Sequence, residues 1–182
     1  MAVLKSICVY CGSYSGARPE YAIAAREMGR TLALSGRTLV YGGGSIGLMG
    51  EAARAATAAG GRVIGVIPHH LNTRERAFQD GELRVVDTMH ERKQTMADLA
   101  DAFVALPGGL GTFDELFEIM TWNQIGLHGK PIGLLNVAGY FDRLLDVVGH
   151  AVNEGFAPRS ARSRIVVRGE VSALLEALTA AN

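Results

Sequence analysis

The chain has 182 residues, 48% of them hydrophobic and 20% charged, enough to bury about 70% of its unfolded surface as one globular domain over residues 1–182. Eighteen basic and eighteen acidic residues cancel, which argues against a nucleic-acid or anionic-membrane surface and leaves any positive potential to local arrangement. There is no uninterrupted apolar run of about 18 residues and no charged, apolar and cleavage regions in order at the start, so a cytoplasmic protein without membrane contact is expected.

Strands and helices alternate along the chain, as in a parallel sheet with helices on both faces. Ser6 to Tyr10 reads as the first strand, followed by the turn Cys11 to Gly16 and a helix from Pro19 to Leu34, with Pro19 suited to the first helical turn. Thr38 to Tyr41 is a second strand, ending in Gly42-Gly43-Gly44-Ser45-Ile46-Gly47 and an alanine-rich helix to Ala59 that should pack closely on its neighbours. Arg62 to Ile67 is a third strand, and Pro68 to Gly81 reads as a long polar loop of the kind that carries function. Leu83 to Val86, Ala102 to Leu106, Lys130 to Leu135 and Arg164 to Val167 complete seven strands. Helices are expected from Thr88 to Ala100, Thr112 to Gln124, Tyr140 to Val152 and Val171 to Leu178. Ligands of such sheets sit at the carboxyl ends of the strands, where the glycine turns after the first, second and fifth strands converge.

The stretch Leu106-Pro107-Gly108-Gly109-Leu110-Gly111-Thr112-Phe113-Asp114-Glu115 organises the chain. Glycines 108, 109 and 111 carry no Cβ, so the turn can adopt positive φ and bring its N–H groups close to an anion. A helix starting at Thr112 would aim free N–H groups and its positive dipole end at the same point, with Glu115 one turn in. Thr112-x-x-Glu115 also fits a capping box, in which the two side chains serve only each other's backbone. The helix around His90-Glu91-Arg92-Lys93 starts after Thr88, with Glu91 at a capping-box position, and the stripe Met89, Arg92, Met96, Leu99 puts Arg92 on the apolar face. A buried-side arginine needs a partner: either a core carboxylate in a structural bridge, or Glu115 or a bound phosphate at the strand ends.

Other motifs compete. Gly42-x-Gly44-x-x-Gly47 satisfies the glycine part of a dinucleotide fingerprint, but the following strand ends Val66-Ile67-Pro68-His69-His70 without the acidic residue that would hold a ribose diol. Those glycines are therefore read as a second wall of a mononucleotide site, or as a structural tight turn. Cys8-x-x-Cys11 lacks a second pair to complete a metal site, and within a strand its members point to opposite faces. The five histidines have no ligand spacing, so no metal is expected.

Ser6-Ile7-Cys8-Val9-Tyr10-Cys11-Gly12-Ser13, Tyr41 to Gly50, Gly65-Val66-Ile67-Pro68, Arg92-Lys93, Pro107-Gly108-Gly109-Leu110-Gly111-Thr112-x-x-Glu115 and Thr121-Trp122-x-Gln124 together resemble the Lonely Guy (LOG) family, the cytokinin riboside 5′-monophosphate phosphoribohydrolases. The resemblance runs from about residue 6 to 178. It implies a Rossmann-like three-layer αβα fold with a mostly parallel sheet, a homodimer, and no cofactor. It also implies hydrolysis of the N-glycosidic bond of an adenine-type nucleoside 5′-monophosphate, AMP or N6-prenyl-AMP, to free base and ribose 5-phosphate. Carried over by position, it makes Arg92 and Glu115 the catalytic pair and places Glu75, Lys93, Gly109, Leu110, Gly111, Thr112, Phe113, Asp114 and Thr121 around the nucleotide. Two positions depart from the pattern: Leu110 stands where an aromatic residue is frequent, and Asn72-Thr73-Arg74-Glu75 only partly matches M-P-R-E. Cleavage builds oxocarbenium charge on the ribose, so Glu115 is expected there as electrostatic stabiliser or general base, with the turn and Thr112 on the phosphate. Asp114, Glu118 and Glu75 are the candidates for a second carboxyl. Members of the family are often labelled lysine decarboxylases, a pyridoxal-phosphate reaction for which the chain offers only Lys5, Lys93 and Lys130. The other rival is an AMP-type nucleotide sensor that binds without cleaving.

Overall fold

The computed structural model describes residues 3–72 and 77–181; Glu75, with Arg74 and Arg76, lies outside the described residues. Seven parallel strands form one sheet: β1 Ser6–Tyr10, β2 Thr38–Tyr41, β3 Val63–Pro68, β4 Glu82–Val86, β5 Ala102–Ala105, β6 Ile132–Leu135 and β7 Ile165–Arg168, in the order β4-β3-β2-β1-β5-β6-β7. Parallel neighbours require crossover connections, and helices supply them: α1 Pro19–Leu34, α2 Gly47–Ala58, α3 His69–Asn72, α4 Met89–Leu99, α5 Leu110–Gln124, α6 Asp142–Asn153, α7 Ser160–Ser163 and α8 Val171–Ala180. With helices on both faces the inner strands are buried throughout, as the unbroken apolar runs Val63–Pro68 and Ala102–Ala105 show.

The core divides in two across the sheet. One side packs Leu39, Val104 and Leu106 against α1, α2 and α8 through Met28, Ala52 and Leu174; the other packs Cys8, Val40 and Phe103 against α4, α5 and α6 through Met96, Leu116 and Leu145. Cys8 and Cys11 belong to these two different cores, and both are free thiols. α1 and α2 pack backbone to backbone: a Cβ on Gly29 would overlap the Ala52 carbonyl, and Ala52, Ala53 and Ala56 present methyl groups to the core.

Four segments depart from the sequence reading. The stretch expected to be a polar loop from Pro68 to Gly81 ends β3 at Pro68, continues as the one-turn helix α3, and returns as Ala77 bridged antiparallel to Gly44. Helix α5 begins at Leu110 rather than Thr112: Gly109 is its extended N-cap, and Thr112 sits inside the first turn, 3% exposed. The helix expected from Tyr140 begins at Asp142, after a 3-10 turn over Val137–Gly139 in which Ala138 has φ 50°. Finally α7, a single turn, was not expected, since four residues are too few to show a period.

Strand β1 pairs with β2 on one side and β5 on the other, so the order of crossovers reverses there. That is where an open α/β sheet leaves a crevice at its carboxyl edge.

Candidate functional site

A cavity of about 510 Å³ opens at that edge, within the size range of small-molecule sites. Its walls are the turn after β1 (Gly12 to Gly16), Gly42 with Leu48 and Met49 after β2, and Gly108 to Thr112 after β5, closed by Leu71, Met89, Tyr21 and Tyr140. Arg92 and Glu115 reach its floor.

Helical periodicity puts this pair there. On α5 the buried positions are Thr112, Glu115, Leu116, Ile119 and Asn123, one stripe against the sheet, so Glu115 occupies a core-facing place next to the strand ends. On α4 the same stripe is Arg92, Met96 and Ala97. At the α4 start the Thr88 hydroxyl accepts from Glu91 N–H at 3.0 Å, the N-cap half of a capping box, and the Glu91 carboxylate accepts from Asp87 N–H, one residue before the cap, at 2.9 Å. Arg92 Nη1 lies 3.0 Å from Glu115 Oε1, with both side chains about 9% exposed. Its Nε donates to the Val66 carbonyl at 3.0 Å and its Nη2 to the Gly42 carbonyl at 3.5 Å, so the guanidinium ties the ends of β2 and β3 to α5. Gly42 is required: a Cβ there would overlap Nη2. Burial pushes the Glu115 carboxyl above its ordinary range; Arg92 pulls the other way, and Asp114 and Glu118 add to the rise.

The turn works differently from expectation. None of Gly108, Gly109 and Gly111 has positive φ. Gly108 is needed for close approach, since a Cβ would collide with Thr112 Oγ1 and stand 2.9 Å from Gly12 N. Gly109 and Gly111 face open space. No side chain caps α5, and its first intrahelical bond is Phe113 N–H to the Gly109 carbonyl at 3.1 Å. The N–H groups of Leu110, Gly111 and Thr112 therefore have no intrahelical acceptor. Neither Thr112 nor Glu115 acts as a cap; Glu115 turns inward to Arg92 instead.

This geometry can hold an anion at the helix end and set a carboxylate of raised proton affinity one turn further along the same face. The chain also matches known proteins. The profile of a family described as "Possible lysine decarboxylase" matches residues 49–178. The cytokinin riboside 5′-monophosphate phosphoribohydrolase LOG of Oryza sativa subsp. japonica is 53% identical over 164 residues, covering 90% of this chain and 67% of its own. LOG2 of Arabidopsis thaliana, which carries the same activity name, is 48% identical over 175 residues, covering 96% of this chain and 82% of its own. The chain belongs to the LOG family. Among solved structures, the molybdenum cofactor binding protein of Rippkaea orientalis superposes with a TM-score of 0.73 at 24% identity, covering 96% of this chain and 95% of that one, a likeness of fold.

The LOG residues carried over from the sequence fall into two groups. Gly109, Leu110, Gly111, Thr112, Arg92 and Glu115 line the cavity. Lys93, Phe113, Asp114 and Thr121 lie outside it. Lys93 Nζ bridges Glu118 at 3.0 Å and Asp114 at 3.2 Å, and the Thr121 hydroxyl donates to the Phe117 carbonyl at 2.7 Å. Phe113 stacks on Tyr140, with ring centroids 6.4 Å apart. Two of the carboxyls considered as a second acid, Asp114 and Glu118, are thus both engaged with Lys93. Sequence reasoning passed over Tyr21, Leu71, Met89 and Tyr140; the one available signal was their position just past the carboxyl end of a strand or at the start of the helix that follows.

The lysines do not fit pyridoxal phosphate. Burial lowers the proton affinity of Lys93, but hydrogen bonds to Glu118 and Asp114 outweigh it and hold the ammonium charged, whereas a Schiff base needs a neutral amine. Lys5 precedes β1 and Lys130 precedes β6, both at the amino edge of the sheet, opposite the cavity.

Proposed function

We propose that the chain hydrolyses the N-glycosidic bond of adenine-type (cytokinin) nucleoside 5′-monophosphates, releasing the free base and ribose 5-phosphate. The uncapped start of α5 supports this reading most: free N–H groups open into the cavity, with Glu115 one turn away on the same face. The phosphate sits on those N–H groups, where the helix dipole and the hydrogen bonds favour an anion. The ribose then lies against Glu115, whose ionised form stabilises positive charge at C1′ and takes a proton from the attacking water. Water adds to C1′, the C1′–N bond breaks, and its electron pair leaves with the base, which takes a proton from solvent, while Glu115 returns the water's proton to solvent and is ionised again. Arg92 binds Glu115 in place and keeps a counter-charge beside it. Met89, Leu71 and Met49 offer the base an apolar wall.

The working form is a homodimer, a reading supported by exposed Phe117, Ile125 and Leu127 on and just after α5. A cytoplasmic location suits two unpaired cysteines. Among the described residues no helix is long and apolar enough to cross a membrane.

The test is incubation of the purified protein with AMP and, separately, with N6-isopentenyl-AMP, following free base and ribose 5-phosphate by chromatography, with the matching nucleosides as controls. Release from monophosphates and not from nucleosides is expected. Binding of AMP without release would leave a nucleotide sensor instead.

A further inference from the structure

We propose that Tyr140 is the positioning residue of the glycine turn, holding its peptides in the anion-binding orientation before any ligand arrives. The inference rests on the phosphate assignment above, and it starts from what holds the turn. Gly109 and Gly111 have no atom within 4 Å of where a Cβ would stand, so nothing packs on them from outside. Glycine samples more backbone conformations than any other residue, and a turn with three of them in four positions would lose much freedom on closing around an anion. Among the described residues, one side-chain hydrogen bond reaches residues 107–111: the Tyr140 hydroxyl donates to the Gly108 carbonyl.

The peptide after Gly108 is planar and trans, so its carbonyl and the N–H of Gly109 point in opposite directions. Fixing the carbonyl toward Tyr140 fixes that N–H away from it and sets the plane from which Gly109 enters the helix. The Gly12 N–H to Pro107 carbonyl bond, 3.1 Å, holds the peptide before. With Tyr140 in place, both peptides leading into α5 are pinned while the N–H groups of α5 stay free.

Tyr140 is itself held on several sides. Its ring stacks on Phe113 and meets Tyr21 and Phe141 edge-on, with centroids 5.6 Å and 5.1 Å away. Its N–H donates to the Val137 carbonyl at 3.0 Å, and the left-handed Ala138 and Gly139 bend the chain so that the ring comes over the turn. Asn136 secures the bend, its Oδ1 accepting from Phe141 N–H at 2.7 Å and its Nδ2 donating to Asp142 at 2.7 Å. A tyrosine in the core of a helix packing would not need this arrangement; one that must present its hydroxyl to a particular carbonyl would.

Tyr140→Phe keeps the ring and removes the hydroxyl. Ribose 5-phosphate binding, measured by calorimetry on wild type and variant, is expected to weaken about fivefold to tenfold, the worth of one hydrogen bond. KM for the nucleoside monophosphate should rise by the same factor with kcat changed less than twofold, while inhibition by free adenine stays as in wild type. The bond exists without ligand, so the unfolding midpoint falls in either case; a merely structural hydroxyl would leave the ratio of the two affinities unchanged. Undiminished ribose 5-phosphate affinity in Tyr140→Phe overturns the proposal, as does failure of the wild-type chain to bind that ligand. Binding of ribose 5-phosphate that weakens in the variant, with no hydrolysis by either protein, would sustain Tyr140's role and sink only the hydrolytic reading.

Discussion

Two glycine turns flank the end of β1 at the carboxyl edge of the sheet, and they use glycine in opposite ways. In the turn after β2, Gly43 and Gly47 take φ of 77° and 58°, and the donors and acceptors are consumed by the protein itself. The Gly12 carbonyl accepts from Leu48 N–H at 3.0 Å and Met49 N–H at 3.3 Å, and the Gly43 carbonyl accepts from Phe78 N–H at 3.1 Å. The turn after β5 has no positive φ and leaves the first donors of its helix unused. Glycine serves conformation and internal closure in the first turn, and open space for a guest in the second. A G-x-G-x-x-G pattern marks the first turn and says nothing of this difference, because the fingerprint records where a Cβ is missing and not where the N–H groups go.

Substitutions in the two turns should therefore fail in different ways. The largest effect belongs to the carboxylate served by the open turn. Glu115→Gln preserves shape and nucleotide binding, and turnover is expected to fall by about 10² or more; near-normal turnover in this folded variant would remove Glu115 from the chemistry. Gly42→Ala, in the closed turn, reaches the same pair from the other side by displacing the Arg92 guanidinium, so turnover should fall about as far although residue 42 touches no reacting atom. Gly47→Ala is the purely structural case: a Cβ would overlap the Ser13 backbone at a strained φ, and denaturant unfolding should show a loss of about 1–3 kcal/mol, with activity per folded molecule retained. A Gly47→Ala protein of normal stability and lost activity would reverse the roles of the turns.

Smaller effects sharpen the picture. In the proposed mechanism Glu115 acts ionised, and burial raises its pKa, so activity should fall as pH drops through a value above the ordinary 4.5, and a kcat/KM profile tests this. An acid limb at or below 4.5 would mean that the carboxyl is not desolvated where it works. Gly111→Ala meets nothing within 4 Å and improves helix propensity, so stability should rise by up to about 1 kcal/mol while KM for the monophosphate increases several-fold. Unchanged KM there would place the phosphate elsewhere.

Much of this was legible in the sequence. Alternating apolar runs and glycine turns fix all seven strands to within a residue or two, and the helical stripe through Met89 and Met96 placed Arg92 inward. What escaped was set by contacts distant in sequence. Thr112-x-x-Glu115 carries the local pattern of a capping box, but Arg92, 23 positions before Glu115, draws the carboxylate inward, and Gly108 makes room for the Thr112 side chain inside the first turn. One-turn helices such as α3 and α7 have no period to read. Tyr140 reads from the sequence as the first residue of a helix. Its actual place follows from the left-handed bend at Ala138, which no propensity announces.

The uncapped end of α5 has a consequence for handling the protein. A helix start capped by glycine, with no side-chain acceptor, is a local weakness of roughly a few tenths of a kcal/mol relative to one capped by serine or aspartate. Any small anion that settles there binds the folded chain and not the unfolded one, so mass action makes the melting temperature climb with the logarithm of that anion's concentration once its dissociation constant is passed. The choice between a phosphate buffer and one built on a bulky organic ion is then part of the protein's thermodynamics, and a melting curve becomes a titration of that helix end.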